Sequence, residues 1–221
     1  MIENFLHPRI IDNRDWATVL FVMSMALIAL TKSVFEARFN DFMKLIVSDK
    51  YIKIYKDSSH LMSGFTIGLF IVQLISLGFF IQLILNHFGY VSKTDWIIYI
   101  QIMTILIVFI LSKYLIEKII ATSFNIEEFI EQFNLQKVSY RTYIGLIILP
   151  VDIILYYNNN SSKFIIFLFI VIILAINTAT YLLSLKNYQN LIFSKLFYFI
   201  LYLCALEIAP YYFMYYWFTK S

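Results

Sequence analysis

Six apolar stretches punctuate the chain, at residues 16–31, 61–85, 96–116, 142–157, 164–183 and 196–218, separated by polar segments that carry most of the lysines. A helix needs about 20 mostly apolar residues to cross the ~30 Å hydrocarbon core of a bilayer. The pattern predicts about six transmembrane helices. The first and fourth stretches are short for that task, so a re-entrant or interfacial path is the alternative for those two. After the first span, Phe35, Phe39, Phe42 and Ile46 recur at the spacing of one helix face, whereas Glu36, Arg38, Asp41 and Lys44 fall elsewhere. This predicts an amphipathic helix lying in the membrane interface over residues 34–56. Within it Lys50, Lys53 and Lys56 alternate with Tyr51, Ile52, Ile54 and Tyr55, a basic and aromatic strip suited to anionic headgroups. A second interfacial helix is predicted over residues 125–134: Asn125 and Glu128 match a capping box, and Ile126, Phe129, Ile130 and Phe133 form an apolar face. Both helices are expected either to seal the bundle or to dock a cytoplasmic protein. The expected fold is all-α, a polytopic membrane helix bundle forming a single transmembrane domain over residues 1–221.

Composition agrees. Of 221 residues, 61% are hydrophobic and 14% charged, against about 25% charged in an average globular chain, and the mean hydropathy is +0.78. About six spans and their connections fill the length and leave no room for a sizeable soluble domain. The net charge of +3 comes from lysines near the span ends, which gives no nucleic-acid footprint. Acidic residues Glu3, Asp12 and Asp15 mix with Arg9 and Arg14 ahead of the first span, without a good cleavage site, so that span reads as an uncleaved helix. The single cysteine, Cys204, excludes an intrachain disulfide.

Orientation follows from the basic residues. Twelve of the 17 Lys and Arg residues fall in the first, third and fifth loops, and five fall in the tails and the other two loops. The excess marks the cytoplasmic side. Both termini are therefore expected in the periplasm, with the protein in a bacterial inner membrane.

Two carboxylates lie inside predicted spans, where an acid costs roughly 2.5–3.5 kcal/mol and points to function by default. Glu207 sits near the middle of the sixth span and Asp152 in the fourth. Pro210 and Pro150 accompany them, and each removes a helical donor, from the carbonyls of Leu206 and Leu146 respectively. Such carboxyls can carry a proton or hold a cation. The alternative is structural bonding to Gln73, Gln101, Asn177 or Thr178. Gly64 and Gly68 form a G-x-x-x-G suited to close helix packing, and Lys113 and Glu117 stand four apart as an expected ion pair. His7, His60 and His87 are scattered, with no H-E-x-x-H, nucleophile elbow or phosphate-cradling loop. No metal, cofactor or catalytic group is expected.

Several strings carry a family likeness: Asn13-Arg14-Asp15-Trp16, Arg38-Phe39, Lys113 to Lys118, Ser139-Tyr140-Arg141, Pro150, and the run from Phe197 through Glu207-Ile208-Ala209-Pro210. The chain resembles a family of multi-pass inner-membrane proteins from the Bacteroidota, defined as a domain of unknown function, along nearly its whole length. The resemblance implies membrane location and an envelope setting, with no established activity. The leading expectation is a non-enzymatic inner-membrane subunit or scaffold of a cell-envelope process such as lipid-linked glycan handling or protein export, with a membrane or cytoplasmic protein partner. The rival is a proton-coupled transporter or lipid flippase using Glu207 and Asp152.

Overall fold

A computed structural model describes residues 14–45, 50–55, 63–123, 127–158, 167–176, 178 and 216. The described residues form helices α1 (Asp15–Val34), α2 (Glu36–Met43), α3 (Lys50–Ile54), α4 (Gly64–His87), α5 (Trp96–Ser123) and α6 (Glu127–Tyr157), followed by the short apolar helix α7 (Phe167–Ile176). No strand occurs among them. Among the described residues, four helical segments are long and apolar enough to cross a membrane: α1, α4, α5 and Asn134–Tyr157 of α6. The fifth predicted span coincides in part with α7, and the sixth lies outside the described residues.

α4 is the central helix. Phe65, Leu69, Val72, Ile75, Phe79 and Leu83 fill one buried face, and Leu74 is buried on the opposite side, because α1, α5 and α6 surround it. α1 contributes a narrow stripe of Ala17, Phe21, Ser24 and Thr31, and the spacing of that stripe is the repeat of one helix face. Its two hydroxyls spend their donors on their own helix, Ser24 Oγ on the carbonyl of Leu20 at 2.8 Å and Thr31 Oγ1 on that of Leu27 at 2.6 Å. Gly64 and Gly68 face this helix: a Cβ at Gly68 would stand 3.1 Å from Thr31 Oγ1, and one at Gly64 would stand 3.8 Å from the Phe35 ring. The G-x-x-x-G therefore serves packing within the bundle.

One end of the bundle is closed by aromatic side chains. Trp16 stacks on Phe79 with ring centroids 5.6 Å apart, and Phe21 stacks on the same ring at 4.2 Å. Tyr99 and Tyr156 complete the layer. Trp16 Nε1 donates to the carbonyl of Thr94 at 3.3 Å, and Lys93 Nζ donates to the carbonyl of Tyr156 at 3.0 Å, tying the α4–α5 turn to the start of α1 and the end of α6. The turn itself follows from capping. Gly89 takes φ +80° past the end of α4, the left-handed conformation that stops a helix cheaply. Asp95 Oδ1 then accepts from the amide of Ile97 at 3.0 Å to start α5.

Two expectations about the other end are corrected. The segment predicted as one interfacial helix over 34–56 contains two helices, α2 and α3, and Phe39 and Phe42 are buried in protein rather than facing headgroups. They pack with Leu45, Tyr51 and Ile52 against Phe65 and Leu69 of α4 and Tyr140 of α6. The periodicity located a sticky helix face correctly but could not say that protein, instead of lipid, covers it. The predicted helix over 125–134 is not separate from the fourth span, since α6 runs unbroken from Glu127 to Tyr157 through Pro150. Polar residues 134–142 suggested a connector. Asn134, Gln136, Ser139 and Thr142 are in fact buried; Thr142 bonds Gln73 of α4, whereas Gln136 Nε2 is buried with no hydrogen bond among the described residues. The fourth span is consequently of full length.

Candidate functional site

Polar side chains collect at two places. The first is the contact between α4 and α6, which run in the same direction and make the most extensive helix pairing among the described residues. Thr142 Oγ1 donates to Gln73 Oε1 at 2.8 Å. Three turns further along, Ser76 Oγ donates to Asp152 Oδ2 at 3.1 Å. Asp152 is fully buried. Gly145 lies between these bonds, and a Cβ there would meet Gln73 Cγ at 2.9 Å and the Gln73 Cα at 3.0 Å. Glycine is what lets the two backbones approach closely enough for the bonds to form. Asp152 Oδ1 and Gln73 Nε2 are buried and make no hydrogen bond among the described residues.

The second is the end of the bundle capped by α2 and α3. Arg38 is 7% exposed. Its Nη1 donates to Ser63 Oγ at 2.7 Å, and its Nη2 to Thr66 Oγ1 at 3.2 Å and Tyr51 Oη at 3.3 Å. The guanidinium also lies over the rings of Phe65 and Tyr55, 4.6 and 4.8 Å from their centroids, a favourable cation–π arrangement. Ser63 in turn caps α4 by accepting from the amide of Thr66. Burial pushes the Tyr51 phenol above its ordinary value of 10.0, although the Arg38 guanidinium beside it pulls the other way. Tyr51 is thus a neutral hydrogen-bond partner at physiological pH. Arg38 joins α2, α3 and α4 at one point.

Next to this joint, α4, α5 and α6 enclose a cavity of about 300 Å³. Lys113, Lys137 and Arg141 line it together with Glu117, and Lys137 Nζ pairs with Glu117 Oε1 at 3.3 Å. Glu117, expected to pair with Lys113, pairs with Lys137 of another helix, and Lys113 lines the same cavity.

The remaining predicted site residues are dispersed. Among the described residues Asp152 bonds Ser76 and not Gln73, Gln101 or Thr178. Pro150 lies inside α6, about two turns before its end at Tyr157. Lys50 is exposed and reaches Asp41 at 3.1 Å, and Phe35 packs edge-on against Phe65 at the α1–α2 junction. Glu207, Pro210, Asn177 and Lys56 lie outside the described residues, as does the side chain of Lys53, so the Glu207–Asp152 pairing falls there too. Sequence reasoning missed Ser76, Gly145 and the central role of Arg38. A lone serine or glycine in an apolar run carries little signal, and Arg38 sits off the apolar face by helical spacing.

Long apolar helices, intramembrane polar joints and a basic end near the span boundary define a polytopic helical membrane protein. The chain belongs to the family described as a domain of unknown function, DUF4271, which matches residues 17–218. No curated protein and no solved structure matches the chain.

Proposed function

We propose that the protein is a non-enzymatic inner-membrane subunit or scaffold of a cell-envelope process, of the kind that handles lipid-linked glycans or exports protein, with the α2–α3 end in the cytoplasm and both termini in the periplasm. What carries the reading is the situation of Asp152. A transport carboxyl must meet water or substrate, whereas Asp152 has no exposed surface, bonds Ser76, and lies about 16 Å along α6 from Arg141 and its cavity at 1.5 Å per residue. It acts as a fastener between α4 and α6. The basic end supports a role at the inner surface, where anionic headgroups and a membrane or cytoplasmic protein partner are at hand.

The reading as a proton-coupled transporter or flippase has one observation in its favour, the unbonded Oδ1 of Asp152. Two substitutions separate the readings. Asp152→Asn retains shape and an oxygen for the Ser76 hydroxyl, so it should leave thermal stability and complementation of a deletion strain near wild type. Asp152→Ala should destabilise the detergent-solubilised protein by about 1–2 kcal/mol, the range of an intramembrane hydrogen bond together with a strandable hydroxyl. An Asn variant that folds normally yet fails to complement would assign Asp152 to proton transfer and overturn the subunit reading.

A further inference from the structure

The cavity at the basic end is built at a definite depth. Counting 1.5 Å per residue, Lys113 lies about 25 Å along α5 from Trp96, and Arg141 about 24 Å along α6 from Tyr157. Trp96 and Tyr157 belong to the aromatic-rich opposite end of the bundle, so both cations sit near the far edge of a ~30 Å hydrocarbon core. From there their long side chains reach the level of the lipid phosphates. The wall is split accordingly. Ile67, Phe70, Ile110 and Leu111 supply an apolar side, while Lys113, Lys137 and Arg141 with Glu117 leave the polar side with an excess of two positive charges. Ile67 and Leu111 are themselves about half exposed, at 47% and 49%, so the apolar side is continuous with the surface that meets the acyl chains. Arg141 makes no hydrogen bond or ion pair among the described residues, and a guanidinium at that depth gains from a phosphate across two donors. We infer that this cavity binds one anionic phospholipid of the basic-side leaflet, its phosphate held by Arg141 and Lys113 and one acyl chain lying along Ile67, Phe70 and Leu111.

This is a different place from the Lys50–Lys56 strip that the sequence suggested for headgroups, and it is specific where that strip would be diffuse. The test uses the full chain in mild detergent and native mass spectrometry, with phosphatidylglycerol, phosphatidylcholine and inorganic phosphate as separate probes. The wild type should retain one phosphatidylglycerol per chain and prefer it to phosphatidylcholine by more than about tenfold. Arg141→Gln should cut phosphatidylglycerol binding by about fivefold, the effect of one cation at a charged membrane surface, and leave phosphatidylcholine unchanged, while Arg141→Lys should restore most of it. Leu111→Trp, at a half-exposed position where a larger side chain is accommodated without disturbing the core, should weaken both lipids by filling the apolar side. Equal retention of the two lipids by the wild type would overturn the inference, as would an Arg141→Gln variant that melts like wild type with its preference intact. Displacement of phosphatidylglycerol by millimolar inorganic phosphate would also overturn it, by making a soluble phosphate the ligand.

Discussion

Arg38→Ala should detach α2 and α3 from the bundle. The substitution removes three hydrogen bonds from a charged group, each worth about 1.5–3 kcal/mol in general, and the cation–π contacts with Phe65 and Tyr55. Because the hydroxyls of Ser63 and Thr66 already bond each other, at 3.2 Å, the substitution does not strand them, and the cost falls below the full sum. A net cost of about 3 kcal/mol remains, concentrated on the cap. Lys44 is exposed just past the end of α2, and proteolysis there in inverted vesicles follows the population of the open cap when opening is fast. Cleavage should accelerate roughly 100-fold, the equivalent of that energy. Arg38→Lys keeps the charge but lacks the planar fork that reaches three hydroxyls at once, so it should fall between. A cleavage rate equal to wild type in Arg38→Ala would show that the cap is held by Phe39 and Phe42 alone.

Gly145→Leu should be at least as damaging, and for a steric reason. Even an alanine Cβ at this position meets Gln73 Cα at 3.0 Å, and a backbone atom cannot swing aside as a side-chain end could. Overpacking of this kind costs about 1–3 kcal/mol for a methyl group, and leucine adds three further carbons in the same direction. The helices must separate, which breaks both the Thr142–Gln73 and the Ser76–Asp152 bonds. Gly145→Ala is expected to lower thermal stability clearly and Gly145→Leu to abolish recovery of folded protein from detergent. Gly64→Ala provides the contrast, since its nearest neighbour would lie at an ordinary 3.8 Å and the change should be near neutral. Equal effects at the two glycines would contradict the close approach of α4 and α6.

These two residues also mark the boundary of what the sequence made legible. The spans at 16–31, 61–85, 96–116 and 142–157 correspond to α1, α4, α5 and α6, because a run of apolar residues long enough for a bilayer admits few other readings. Periodicity located α2 as well. It did not reveal what the apolar face of α2 touches, and the same pattern suits lipid or a groove of Phe65, Leu69 and Tyr140. The length of α6 was hidden because Asn134, Gln136 and Ser139 resemble a connector until their burial is known. Gly64 and Gly68 drew notice through their spacing. Gly145 is isolated in sequence, and its importance comes only from Gln73 on another helix. The charged residues were legible in part: Lys113 and Glu117 stood out as a pair, yet Lys137 and Arg141, twenty and more residues away, turn the pair into a basic cavity.

The functional reading rests on the basic end of the bundle facing the cytoplasm. The most direct measurement is thiol labelling in intact cells, in a Cys204→Ser background, with an impermeant reagent after the outer envelope is made permeable. Ser92 is exposed on the α4–α5 turn and Lys44 is exposed beyond α2, at opposite ends. With cysteine placed at one or the other, Ser92→Cys should label in intact cells and Lys44→Cys should label only once the inner membrane is opened. Labelling of Lys44→Cys but not Ser92→Cys in intact cells would invert the protein and contradict the account.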